Sequence, residues 1–111
     1  MRAWRYAALP LALLASRAPA ANWVTVGTDN DNNSTYVDKD SIRRGTDGLV
    51  YFDEATDDGD VSDLATDCKE RVLYLLRMNA TDNPDWRSRG HPVTSGSVGE
   101  GELQYVCANV G

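Results

Sequence analysis

Histidine, lysine and cysteine are scarce in this chain: one histidine (His91), two lysines (Lys39, Lys69) and two cysteines (Cys68, Cys107) in 111 residues. The lone histidine limits the chemistry. A serine or cysteine nucleophile needs a base beside it. His91 is followed by Pro92 in a turn-rich stretch, and both cysteines are expected in a bond, so no nucleophilic triad can be assembled. Acids do not fill the gap. Asp53 and Glu54 are neighbours on a predicted strand and point to opposite faces, while Asp57 and Asp58 sit in a predicted loop where water solvates both. Neither pair is placed to hold a proton for general-acid work. The chain therefore reads as a non-enzyme with no cofactor.

Long apolar runs are also scarce. The run from Tyr6 to Ala15 is interrupted by Pro10 and closed by Arg17, and it supplies about half of the ~20 apolar residues that span a bilayer. Arg2 and Arg5 precede it, and Ala18-Pro19-Ala20 offers the small residues that a signal peptidase reads. Residues 1–20 are thus expected to be a secretory signal cleaved after Ala20, with an uncleaved anchor as the alternative. There is no cysteine at the cleavage point to carry a lipid. The expected product, residues 21–111, is one free domain, periplasmic or secreted, with no membrane insertion after cleavage.

The leader carries three of the 11 basic residues and none of the 17 acids, so its loss takes the formal charge from −6 to −9. Such a surface repels nucleic-acid phosphates and anionic headgroups, and draws basic partners. In an oxidising compartment Cys68 and Cys107 are expected to form one disulfide; an intermolecular bridge or two free thiols are the alternatives.

The stretch Asp67 to Met78 is the densest in β-branched, aromatic and long apolar residues. Read with period two, Cys68, Glu70, Val72, Tyr74, Leu76 and Met78 form the core side of a central strand, and Lys69, Arg71, Leu73, Leu75 and Arg77 the outer side. Before it, Asn22 to Gly27 and Thr35 to Asp38 read as a hairpin around the polar turn Asp29 to Ser34. Asp40 or Ser41 caps a short turn that tucks in Ile42, and Leu49 to Ala55 is a third, central strand. Asp57 to Asp67, rich in Asp, Gly, Ser and Thr, reads as a loop with its tip at Asp57 to Asp60, and the segment through Leu64 as the longest mobile piece. Trp86, between two turn signals, either begins an edge strand or covers the end of the core.

The carboxyl terminus reads as a helix. Ser97-Val98-Gly99-Glu100 has the spacing of a capping box, and Leu103, Val106, Cys107 and Val110 recur as one apolar stripe. Gly99 and Gly101 weaken it, so it must be held by docking, with Cys107 on the docked side. The fold class expected is α+β: an antiparallel sheet of about four to six strands with a C-terminal helix disulfide-linked across one face.

The order Trp23-Val24-x-Val26, Tyr36-Val37-Asp38-x-x-Ser41-Ile42-Arg43, Asp67-Cys68-x-x-Arg71 and Gly96-Ser97-Val98-Gly99-Glu100 running into Val106-Cys107 resembles the surface-adhesin protein E family of bacterial exported domains. That resemblance implies an antiparallel sheet with its terminal helix bonded to it, and a binding role toward a protein or cell-surface component. The family's best-known member is lipid-anchored and binds hosts through a lysine-rich region. Here the cleavage site has no cysteine, and the only lysines are Lys39 and Lys69.

No metal site is expected. The weak alternative is calcium: Asp29, Asp31, Asn33, Thr35 and Asp40 occupy positions 1, 3, 5, 7 and 12 of a calcium-loop register, but Ser34 stands where glycine is needed and no helices flank the loop. Trp23, Trp86 and Tyr105 are candidates for a recognition surface or for core packing. The favoured expectation is a non-enzymatic exported binding domain with an unidentified ligand. Its rivals are an acidic inhibitor of a basic enzyme such as a lysozyme, and a hydrolase built on clustered acids.

Overall fold

The computed structural model describes residues 21–111; the expected signal segment, 1–20, lies outside the described residues. In chain order the elements are β1 (Trp23–Thr28), β2 (Ser34–Asp38), a 3₁₀ turn (Lys39–Ser41), β3 (Arg43–Arg44), β4 (Val50–Thr56), β5 (Val61–Asp67), β6 (Val72–Met78), β7 (Thr81–Asp82), a second 3₁₀ turn (Trp86–Ser88), β8 (His91–Pro92) and helix α1 (Val98–Asn109). The strands form one antiparallel sheet in the order β1-β2-β4-β5-β6-β7, with the two-residue strands β3 and β8 pairing off that path onto β4 and β6. The α+β class, the antiparallel sheet and the helix bonded to it are as the sequence predicts. The sheet has six strands along its main path and two short ones beside it.

Local chemistry explains the turns. Asp29 accepts through one carboxylate oxygen from the backbone N–H groups of Asp31 (2.8 Å) and Asn33 (3.0 Å), and Asn32 takes a left-handed φ of 65°. Such side-chain-to-backbone bonds are what make Asx residues turn formers. The first 3₁₀ turn is capped by Asp38, two residues before Asp40 and three before Ser41, because the Asp38 carboxylate faces the N–H of Asp40. Ile42 then packs against the core as expected.

Two expectations fail, for related reasons. The stretch Asp57 to Asp67 is not a loop: only its first residues turn, around Gly59 with φ 89°, and Val61–Asp67 is an inner strand between β4 and β6. Within that strand Ser62 and Thr66 are buried together with Leu64 and Ala65. The stretch Asp67 to Met78, conversely, is not one strand. Asp67 accepts from the N–H groups of Lys69 and Glu70, Arg71 donates its N–H to the Asp67 carbonyl, and Arg71 takes φ 58°. Those bonds close a tight β5–β6 turn containing Cys68, so the period-two reading breaks there. In β6 it is Leu73 and Leu75 that pack on the core, and the core side expected for Val72 and Tyr74 is corrected to the opposite face.

The core lies between one sheet face and α1: Val37, Val50, Phe52 and Leu64 from the strands meet Val106, with Leu103 buried beside them. Ser97 caps the helix by accepting from the Glu100 N–H at 3.2 Å, and the Glu100 carboxylate reaches back to the N–H of Gly96 (2.8 Å), one residue beyond the usual capping box. Its other oxygen takes the Arg71 guanidinium at 2.8 Å. Cys68 and Cys107 are disulfide-bonded across 39 residues, with Cα atoms 6.0 Å apart. One five-residue turn thus reaches the helix at two places, Glu100 and Cys107.

Gly101 is more than a weak helix former. A Cβ there would stand 2.5 Å from the Val26 carbonyl oxygen, so glycine lets the helix lie directly on β1. We expect Gly101→Ala to cost about 1–2 kcal/mol in urea unfolding, the clash with backbone outweighing alanine's better helix propensity. Unchanged or raised stability would show that the helix does not sit this close.

Candidate functional site

Strand alternation divides the sheet's side chains between two faces. On β4, Val50, Phe52 and Glu54 look toward α1, and Tyr51, Asp53 and Ala55 look away. Register carries the second set across the sheet in three rows: Tyr51 opposite Ala65 opposite Tyr74; Asp53 opposite Asp63 opposite Arg77; and Tyr36 opposite Ala55 opposite Val61.

The first row is covered. Trp86 sits edge-on to Tyr74 (ring centroids 5.6 Å) and Tyr51 (6.3 Å), so it caps the core's outer face and does not start a strand. Arg87 stacks on Trp86 at 4.3 Å and pairs with Asp47 at 3.1 Å. Asp47 also accepts from the Tyr51 hydroxyl, which is the main reason its carboxyl is held below the usual carboxylate range.

The second row is acidic. Like charges directly opposite on neighbouring strands repel. Burial first, and then the Asp63 carboxyl opposite it, push Asp53 up to about 6; Arg43 draws it down and Asp38 adds to the rise. Arg77 stands 3.8 Å from Asp63 but closer, 2.9 Å, to Asp82. The expectation that Asp53 has no acid beside it is therefore corrected: its strand neighbour Glu54 does point away, but Asp63 stands opposite it on β5.

The third row is open. Trp23, Tyr36, Ala55, Thr56, Asp57, Gly59 and Val61 line a depression of about 650 Å3, open on one side, with Trp23 38% and Val61 47% exposed. Its wall is fixed by Asp57, which accepts from the Tyr36 hydroxyl (2.6 Å) and the Ser34 N–H (2.8 Å). The first of these bonds does most to lower the Asp57 carboxyl and to raise the Tyr36 phenol. Asp57 thus lies exposed in the β4–β5 turn, as expected, and is in addition held by these two bonds.

On the helix face, Glu102 is 3% exposed, with one carboxyl oxygen lacking any hydrogen-bond partner. Burial, reinforced by the neighbouring Glu54 carboxyl, pushes it up to about 10, so it holds its proton at neutral pH. No sequence signal marked it, because in the helix stripe it reads as a polar position.

Of the other candidates, Tyr105 packs against the core and His91 lies on exposed β8. Asp29, Asp31 and Asn33 form the β1–β2 turn described above, and no group of three or more His, Cys, Asp or Glu suited to a metal occurs among the described residues. No helix among the described residues is long and apolar enough to cross a membrane. The disulfide marks a chain that folds in an oxidising, extracytoplasmic compartment. Comparison with protein-family models, curated proteins and solved structures finds no match to this chain.

Proposed function

We infer that this is a non-enzymatic binding domain, exported to the periplasm or beyond, that holds a protein or cell-surface component on the sheet face opposite α1. One observation carries the reading: Trp86 fills one end of that face, while the other end keeps Trp23 and Val61 exposed around an apolar depression. An apolar concavity of this kind, edged by a few placed polar groups, is what a recognition site requires. The resemblance to the surface-adhesin protein E family points the same way, and so does an exported stapled fold.

Capture from envelope and extracellular-matrix fractions tests it. The native domain should retain a saturable partner that Trp23→Ser/Val61→Ser fails to retain, with circular dichroism showing both folded. Equal capture by the two proteins, or none by either, would overturn the reading.

A second reading is favoured by charge. Residues 21–111 hold 17 acids against eight basic residues, and Asp38, Asp53 and Asp63 are among the acids on this face. An inhibitor of a basic enzyme such as a lysozyme would have such a surface. Titration into a lysozyme assay should then slow the enzyme at low salt and less so at moderate salt; unchanged rates dispose of this alternative.

A further inference from the structure

The open row and the acidic row are parts of one surface with a defined spacing. Ala55 lies two residues beyond Asp53 on β4, and Val61 two residues before Asp63 on β5, with all four side chains on the same face. At the strand rise, the two rows stand roughly 7 Å apart. An extended peptide presents alternate side chains on one side with the same spacing. The depression is apolar and Trp23 and Val61 are exposed beside it. The neighbouring row holds Asp53 and Asp63 face to face, an arrangement that repels itself and is only partly offset by Arg43 and Arg77. An incoming cation relieves that repulsion.

We propose that this face binds an extended segment of a partner protein carrying an aromatic or aliphatic residue at one position and lysine or arginine two positions away. The apolar side chain enters the depression between Trp23, Tyr36 and Val61, and the cation settles over Asp53 and Asp63. This rests on the reading of the face as a binding surface and names what it takes. Charge complementarity selects the cation, and the pleat selects the spacing.

The test uses short synthetic peptides of Gly and Ser with a single Trp, followed two residues later by Lys, by Glu, or by Ser, and a fourth with Lys directly adjacent to Trp. Binding of each is followed by fluorescence polarisation of a label on the peptide. The Trp-x-Lys peptide is expected to bind saturably, at least tenfold tighter than Trp-x-Glu and severalfold tighter than the adjacent arrangement. In Asp53→Asn/Asp63→Asn the preference for Lys over Ser should fall to about onefold with the Trp contribution kept, and in Trp23→Ser/Val61→Ser all four peptides should lose binding. No saturable peptide binding, no preference for Lys, or a preference that survives the Asp variant would each overturn the proposal. If the fraction-capture experiment still shows partner loss in Trp23→Ser/Val61→Ser, the binding face stands and only this choice of ligand falls.

Discussion

Glu102→Gln is expected to raise the free energy of unfolding by about 2–3 kcal/mol at pH 8 and to change it little at pH 5. The sign follows from burial. The Glu102 carboxyl binds its proton more tightly folded than unfolded, its value rising from the ordinary 4.5 to about 10. The stability tied to that proton is therefore complete below about 4.5 and is lost steadily as pH rises toward the raised value, by at most about 1.4 kcal/mol per unit. Glutamine keeps the shape and a donor toward Glu54 without an ionisable proton, so it removes the loss.

Asp53 acts in the same direction but only up to about 6, so the slope above that belongs to Glu102. Asp47, Asp57 and Glu100 are all lowered and act oppositely: what they contribute disappears as pH falls below the ordinary carboxylate range. The domain should be most stable in mildly acid solution. Urea titrations of both proteins at several pH values check this, and a parallel pH dependence in the two would refute the assignment.

Removing the staple has a larger effect of the opposite sign. Cys68→Ser/Cys107→Ser frees a loop spanning 39 residues, and on the chain-entropy model this costs about 4 kcal/mol through the unfolded state. For a domain of this size that corresponds to a melting temperature lower by on the order of 20 °C. The Arg71–Glu100 pair remains, but both side chains are partly exposed and such pairs contribute less than about 1 kcal/mol. Thermal unfolding of the serine variant, and of the native protein under reductant, should give the same lowered midpoint. A fall of only a few degrees in both would mean the helix is held by packing alone.

How much of this was legible in the sequence differs from element to element. The hairpin of β1 and β2, the central β4 and the capped α1 could be read because each combines an alternating or helical apolar pattern with a turn or cap residue at its end. The β5 strand could not, because its buried positions are filled by Ser62, Ala65 and Thr66, residues that look like loop composition when burial is unknown. Its alternation of Ser62, Leu64 and Thr66 against Val61, Asp63 and Ala65 was the available signal.

Missing β5 hid the site as well. The Asp53–Asp63 pair and the Val61 wall exist only through the β4–β5 register. Gly101 misled in another way: its helix propensity is a local property, whereas its reason for being glycine is the Val26 carbonyl from the other end of the chain.

The margins of the sheet carry a final consequence. At one end β1 is broken by a register shift between Thr25 and Gly27; at the other, β6 is flanked only by two-residue strands, one of them containing Pro92. Irregular, short and proline-bearing borders give a foreign strand nowhere to zip on. A domain with such borders offers a poor template for edge-to-edge growth.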